Sequence, residues 1–221
     1  MNYDYGNWLF ALANIFLVLF FIKSVFKPRT KTDWKTYKTF GAFIVALFAE
    51  MYGFPLTIYL LTSFFGNRFS NLDFTHDNGH ILNTILGIKG DPHFNFLHIL
   101  SNVFIVLGLI LIAKAWETLY KSKKKNILAT SGLYFYLRHP QYLGFILIIL
   151  GFLLQWPTLI TLIMAPILII RYAILGKSEE KLMIKKYGNA YRTYRNKTPG
   201  YIPSLKNLYT EMLKRFSFRK T

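Results

Sequence analysis

The stretch FILIILGFLLQWPTLITLIMAPILIIRYAIL, residues 145–175, decides the fold of this chain. It is predominantly apolar and is broken once, at Gln155-Trp156-Pro157. Proline removes a backbone donor and interrupts a helix, so the break predicts a turn between two helices over residues 142–155 and 158–175. The stretch therefore predicts a helical hairpin within a membrane.

Three more apolar runs precede the hairpin, over Trp8–Phe26, 40–65 and 96–113. A membrane-spanning helix needs about 20 predominantly apolar residues, and these runs are close to that length. The first run lacks a basic start and a small-residue cleavage site, so it is predicted to be an anchor. The fold class is therefore all-α: a polytopic transmembrane protein with about five spans. The segment 142–155 is short for a full crossing, so it is either tilted or enters the membrane only partly.

The charge of the chain predicts its orientation. Of the net charge of +17, most comes from Lys and Arg concentrated in residues 27–38, in residues 114–138 and after residue 170. Basic loops favour the cytoplasmic side, which puts the N-terminus and the loop 66–95 outside. The basic excess is explained by topology and by membrane lipid headgroups, so no nucleic-acid partner is expected. We expect an integral membrane protein, in the cell (inner) membrane, with its basic loops facing the cytoplasm.

The organisation of the chain follows from these segments. Residues 1–113 are predicted to form a membrane-spanning part of three helices, and residues 114–221 a core with the hairpin and a cytosolic tail. A polar linker is predicted over 27–38, and a helix start at Ser178-Glu179-Glu180. An amphipathic basic helix should follow at the membrane surface, interrupted at Gly188. The absence of cysteine excludes disulfides, thiolate metal sites and cysteine catalysis.

Two polar blocks flank the hairpin. TSGLYFYLRHPQYLG covers residues 130–144, and KSEEKLMIKKYGNAYRTYRNKTPGYIP covers residues 177–203. A turn at Trp156-Pro157 puts both blocks at one membrane face. Arg138 and His139 then lie close to Glu179 and Glu180, which indicates a functional site.

The two blocks resemble the isoprenylcysteine carboxyl methyltransferase family, integral-membrane enzymes related to the phospholipid methyltransferases. The resemblance covers residues 126–203 and rests on several motifs in order: SGLY at 131–134, RHPQYLG at 138–144, the pair Glu179-Glu180, and a tail with Tyr-Gly, spaced tyrosines and Thr-Pro. It implies a membrane enzyme that transfers a methyl group from S-adenosylmethionine.

The resemblance also implies roles for residues. Glu179 and Glu180 suit the cationic or hydroxyl parts of the cofactor. Arg138 and His139, or backbone N–H groups at the start of a helix, suit its carboxylate. The cofactor-binding set that it implies is Asn126, Leu128, Ala129, Tyr134, Arg138, His139, Pro140, Tyr142, Glu179 and Glu180. A basic residue before the Glu pair touches substrate in the family. Arg171 and Lys177 both lie near that position, and Arg171 is placed with Glu179 and Glu180 in the catalytic set.

The expected reaction is an in-line displacement at the methyl carbon, which depends on positioning in a dry cavity. The methyl acceptor is expected to be lipophilic or small, like a prenylcysteine carboxylate. A phospholipid amine and a small thiol are alternatives. A transporter or assembly factor without enzymatic activity is the alternative from another class.

Glu50 and four histidines lie outside the two blocks. Glu50 falls inside the second apolar run, where a charge is costly; it either meets substrate or a partner such as His98, or lies near an interface or is protonated. His76, His80, His93 and His98 fall in or near the loop that is predicted to be external. They suit either a metal, as in a membrane redox enzyme, or a polar loop. No metal site is assigned.

Overall fold

The computed structural model describes residues 5–66 and 75–203, and every regular element in these ranges is helical. The helices are α1 (Trp8–Phe26), α2 (Lys31–Phe48), α3 (Leu56–Phe65), α4 (Ile81–Leu86), α5 (Phe96–Lys124), α6 (Leu133–Tyr136), α7 (Pro140–Gln155), α8 (Leu159–Tyr187) and α9 (Asn189–Lys197). A π-helical turn, Ala49–Gly53, follows α2, and short 3-10 turns cover His76–Gly79 and Pro92–Phe94.

The helices confirm an all-α membrane protein. In the described ranges, α1, α5 and α8 are each long and apolar enough to cross a bilayer. The segments Lys31–Gly53 and Leu56–Phe65 are together long and apolar enough for a fourth span, with a bend of 67° between them. Helix α7 is apolar but has only 16 residues. It corresponds to the predicted span that looked short in the sequence.

The second span differs from its prediction at both ends. Helix α2 begins at Lys31, inside the predicted polar linker, because Thr30 and Asp33 form a reciprocal capping box. The predicted helix over 40–65 is not continuous, since Pro55 has no N–H to extend it and the chain bends there. Glu50 lies buried in the π-helical turn, and its Oε1 accepts a hydrogen bond from the backbone N–H of Thr57. That bond satisfies a donor at the start of α3, and it replaces the suggested pairing with His98.

The helix start predicted at Ser178-Glu179-Glu180 was wrong. Helix α8 runs without a break from Leu159 to Tyr187 and carries both carboxylates in its interior. No residue near 178 interrupts the backbone hydrogen bonds, so a serine followed by acidic residues does not start a new helix here. The predicted interruption at Gly188 is confirmed: its φ of +54°, which favours glycine, separates α8 from α9. Helix α9 is basic, and its Tyr191 is buried.

The described chain divides into two compact units. The first comprises residues 5–66, 75–107 and 146–171 of the described ranges. Its core includes Phe40, Phe43, Ile44 and Leu47 of α2. The turn between α7 and α8 lies at residues 156–158, as predicted, and Thr158 and Thr161 bond reciprocally to start α8.

The second unit comprises residues 108–145 and 172–203 of the described ranges. A Cβ on Gly144 would lie 2.7 Å from the backbone oxygen of Gly108 and from Ile112. Only glycine allows α5 and α7 to approach so closely within this unit. This unit contains both polar blocks of the sequence. The division at residues 113 and 114 stays a prediction.

Candidate active site

The tail of the described chain holds the Arg-His pair by its backbone. The N–H of Arg138 donates to the carbonyl of Pro199 at 2.9 Å, and the N–H of His139 donates to that of Gly200 at 3.1 Å. These donors precede the first turn of α7, where no helical acceptor exists for them. The tail therefore fixes where both side chains project.

Glu180 is shared between the two basic side chains. Its Oε1 lies 2.8 Å from Nη1 of Arg138 and 3.0 Å from Nε2 of His139. His139 is 3% exposed, and the side chains of Arg138 and Glu180 are each 16% exposed. Removing the charges of such an ion pair from water costs several kcal/mol, so the pair is stable only with good geometry. The predicted approach of Arg138 and His139 to Glu180 is present in the structure.

Glu179 is the less enclosed carboxylate. Its Oε1 accepts a hydrogen bond from the hydroxyl of Tyr142 at 2.8 Å, and its Oε2 lies 3.8 Å from Nδ1 of His139. Tyr142 is fully buried and stacks on Tyr172 with ring centres 5.6 Å apart. That Nδ1 is buried, and no group of the described residues hydrogen-bonds to it. A polar ligand could therefore pair with His139 Nδ1, beside the more exposed carboxylate of Glu179.

Tyr201 and Gly176 also belong to this arrangement, and sequence reasoning missed both. The ring of Tyr201 stacks on that of His139 at 5.1 Å, and its hydroxyl donates to the backbone carbonyl of Tyr172 at 3.1 Å. A Cβ on Gly176 would overlap the Tyr201 hydroxyl and lie 3.2 Å from the His139 ring. The neighbouring tail motif Thr198-Pro199 is the signal that would have drawn attention to Tyr201.

Burial sets the protonation of the side chains around the pair. Desolvation lowers the pKa of His139, although hydrogen bonding and attraction to Glu180 oppose it. Burial and, to a lesser extent, the negative charge of Glu180 raise the pKa of Tyr191 to about 12. Burial also raises the pKa values of Tyr194 and Tyr201. At neutral pH these tyrosines are hydrogen-bond donors, and none of them is a base.

The segment before the Arg-His pair packs as a small core of its own. Ala129 and Tyr134 pack with Ala115. The Tyr134 hydroxyl donates to Gln141 at 3.0 Å, and the Tyr194 hydroxyl donates to the backbone carbonyl of Tyr134 at 2.6 Å. These contacts connect the segment to α7 and α9.

The remaining predicted site residues lie in different surroundings. Asn126 is exposed, with a left-handed φ of +52° just after α5, and Leu128 is half-buried. Pro140 is buried at the first position of α7. Arg171 is exposed on α8, eight residues before Glu179, and belongs to the first unit. The catalytic and cofactor-binding roles of the whole set stay predictions.

Comparison with known proteins agrees with the resemblance in the sequence. Residues 93–190 match the phospholipid methyltransferase family model. The chain is 33% identical over 84 residues to protein-S-isoprenylcysteine O-methyltransferase of Schizosaccharomyces pombe. That alignment covers 38% of this chain and 36% of the relative, so the chain matches about a third of the length of that protein. The predicted similarity to this group of membrane methyltransferases is confirmed, and the family implies a methyl donor.

Proposed function

We propose that this protein is an integral-membrane methyltransferase that transfers a methyl group from S-adenosylmethionine to a lipophilic or small acceptor. One observation carries the proposal: Arg138 and His139 converge on Glu180, with Glu179 beside them, in a largely buried site. All four residues fall within the segment that matches the phospholipid methyltransferase family.

The residues present suit this cofactor. S-adenosylmethionine supplies an electrophilic methyl group on a sulfonium, together with an ammonium, a carboxylate and an adenosine. Glu179, with the buried His139 Nδ1 nearby, offers a carboxylate for the cationic and hydroxyl parts. Arg138 can pair with a carboxylate. Tyr134 and Tyr142 are proposed to lie beside the adenosine, which would reach these buried rings only where neighbouring side chains move aside.

The chain contributes positioning and charge to the reaction. Burial of His139 and Glu180 excludes water from that side of the site and strengthens the interactions of charges there. A carboxylate or thiolate acceptor would arrive charged and need no base. An amine acceptor would have to lose a proton, and Glu179, the more exposed carboxylate, is the group to accept it.

The acceptor class is inferred from the named relative. That protein, by its name, methylates isoprenylcysteine. We therefore place a prenylcysteine carboxylate-like acceptor first, with a phospholipid amine and a small thiol as the alternatives. Arg171, exposed on α8, is proposed to contact the acceptor. The site is proposed to face the cytoplasm, in the cell (inner) membrane, with the N-terminus outside.

Two measurements test the proposal. Full-length protein in detergent should bind S-adenosylhomocysteine in calorimetry with a stoichiometry of about one. It should then transfer labelled methyl from S-adenosylmethionine to one of three acceptors: a prenylcysteine, phosphatidylethanolamine or a small thiol. A folded protein that does not bind S-adenosylhomocysteine would favour the transporter or assembly factor. Binding without transfer to any of the three would overturn only the acceptor assignment.

A further inference from the structure

Four histidines of the first unit lie together, outside the candidate active site. The ring centres of His80 and His93 are 4.8 Å apart, those of His93 and His98 are 5.6 Å apart, and those of His80 and His98 are 5.8 Å apart. His76 lies 6.0 Å from His93 and 6.3 Å from His80. Residues 76 and 80 do not share an α-helix, because His76–Gly79 is a 3-10 turn. The fold has therefore gathered rings that the sequence spacing alone did not group.

These separations are those of imidazoles around one metal ion. Zinc binds an imidazole nitrogen at about 2.0–2.1 Å, which puts the ring centres of two tetrahedral ligands about 5 Å apart. Like-charged rings would repel one another at this distance, so the cluster requires neutral rings or a cation that binds their lone pairs.

The hydrogen bonds around the rings resemble the outer shell of a metal site. Nδ1 of His93 pairs with Asp91 at 3.0 Å, and Asp91 also accepts from the backbone N–H of His93. The ring of His80 hydrogen-bonds to the backbone of Gln155. Its Nε2 is buried without a hydrogen-bond partner in the described residues. Carboxylates and carbonyls that hold one ring nitrogen in this way leave the other free to bind a metal.

His98 completes the set. It is held next to Gln155, whose side-chain nitrogen lies 3.4 Å from His98 Nε2, while His98 Nδ1 is buried without a partner in the described residues. His80 is 4% exposed, whereas the side chain of His93 is 40% exposed and gives an entry path from solvent. Two buried, unpaired ring nitrogens in one cluster are costly unless something binds them.

We propose that His80, His93 and His98, with His76 as a fourth ligand, form a binding site for a divalent transition-metal ion, with zinc as the first candidate. Imidazole nitrogens suit zinc, copper, iron and nickel, and three or four of them without a thiolate match zinc. In the described ranges, no three His, Asp or Glu side chains are already arranged to bind a metal ion. Binding therefore requires the rings to shift so that their free nitrogens converge, while Nδ1 of His93 keeps its contact with Asp91.

The site has a structural role in this proposal. An ion held by these rings links the loop before α4, the loop before α5 and the start of α5 within the first unit. His76 and His80 also contact Trp156 at the turn between α7 and α8, with ring centres 4.4 and 4.8 Å apart. The ion would stabilise the folded chain by mass action, since the unfolded chain has no assembled site.

Metal analysis of the full-length protein tests the proposal. The protein is purified in detergent with an affinity tag that contains no histidine, and it is supplied with Zn²⁺ and dialysed. Inductively coupled plasma mass spectrometry should find about one ion per chain in the parent. His80→Gln and His98→Gln should each lose most of it, while His139→Gln, the matched control outside the cluster, should keep it. Asp91→Asn should weaken the affinity about 10–100-fold.

Cobalt gives a readout that needs no variant. Titration of metal-free parent protein with Co²⁺ should give a saturable visible spectrum of low-coordinate cobalt, which Zn²⁺ abolishes by displacement.

A chelator should lower the melting temperature of the parent and leave that of His80→Gln unchanged. The proposal is overturned if the folded parent shows no saturable binding of Co²⁺ or Zn²⁺. It is equally overturned if His80→Gln and His98→Gln bind as the parent does.

Discussion

Nε2 of His139 and Oε1 of Glu180 lie 3.0 Å apart, although 41 residues separate them in the sequence. The contact joins the residue directly before α7 to a residue in the interior of α8. Arg138 contacts the same oxygen at 2.8 Å, so one carboxylate fixes two neighbouring basic side chains. The ligand-binding predictions depend on this relationship.

Glu180→Gln should weaken binding of S-adenosylhomocysteine about tenfold or more. A hydrogen bond to a charged group contributes about 1.5–3 kcal/mol, and the change also leaves Arg138 without its counter-charge. Calorimetry on detergent-purified protein measures the affinity. The control is Glu117→Gln, since Glu117 makes an exposed ion pair with Lys121 at 2.7 Å. Equal affinities for both variants, with unchanged circular dichroism, would contradict the assigned role of Glu180.

Gly176→Ala should impair ligand binding although alanine favours helices. The added Cβ would overlap the Tyr201 hydroxyl and press on the ring of His139. Overpacking of this kind costs about 1–3 kcal/mol, more than the helix propensity that alanine adds. Thermal unfolding and ligand titration measure the effect. Ser178→Ala, at an exposed position of the same helix, is the control. If Gly176→Ala is as stable as Ser178→Ala and binds the ligand as tightly, Gly176 does not pack closely against Tyr201 and His139.

The stability of the protein should depend on pH through His139. Burial lowers its folded-state pKa below the ordinary value of 6.5, so the unfolded chain takes up a proton first as the pH falls. The contribution of neutral His139 is therefore complete above about pH 6.5 and is lost as the pH decreases below that value. Melting temperatures of the parent and of His139→Gln should differ in slope between about pH 7 and about pH 5, the parent being steeper. Parallel slopes would show that the folded protein does not disfavour protonation of this ring.

Glu50→Leu should lower the free energy of unfolding by about 1–2 kcal/mol, as for the loss of a helix cap. Its Oε1 accepts from the backbone N–H of Thr57 at the start of α3. Glu50→Gln keeps an acceptor oxygen at that place and should cost less. Thermal unfolding in detergent compares the two. Equal losses in both variants would mean that the charge of Glu50, and not its acceptor, matters for the fold.

The sequence predicted the hairpin and the main contacts of the site because both depend on strong local signals. Pro157 marks the turn, and the order RHP, hairpin and Glu pair places Glu180 beside Arg138. The helix boundaries were less predictable. Ser178 looks like a cap, but continuous helical bonding from α8 overrides it. The capping box at Thr30 was readable from residues 30–33, but the net polarity of the segment suggested a linker.

Contacts that depend on tertiary packing could not be read from the sequence. Tyr201 reaches His139 only because the tail folds back onto the start of α7. The grouping of His76, His80, His93 and His98 likewise depends on how two loops and a helix start meet, since the spacing of these residues fits no single helix face. Such contacts are set by packing across elements, which local periodicity does not encode.

The backbone bonds from Arg138 to Pro199 and from His139 to Gly200 impose an order on biosynthesis. A ribosome makes residues 138–139 and the whole of α8 before it makes residues 199–200. Until residues 199–200 are made, the N–H groups of Arg138 and His139 lack the carbonyl groups that they bind in the folded structure. Translation that stops shortly after α9 would therefore leave a chain whose candidate site lacks both backbone contacts from its tail.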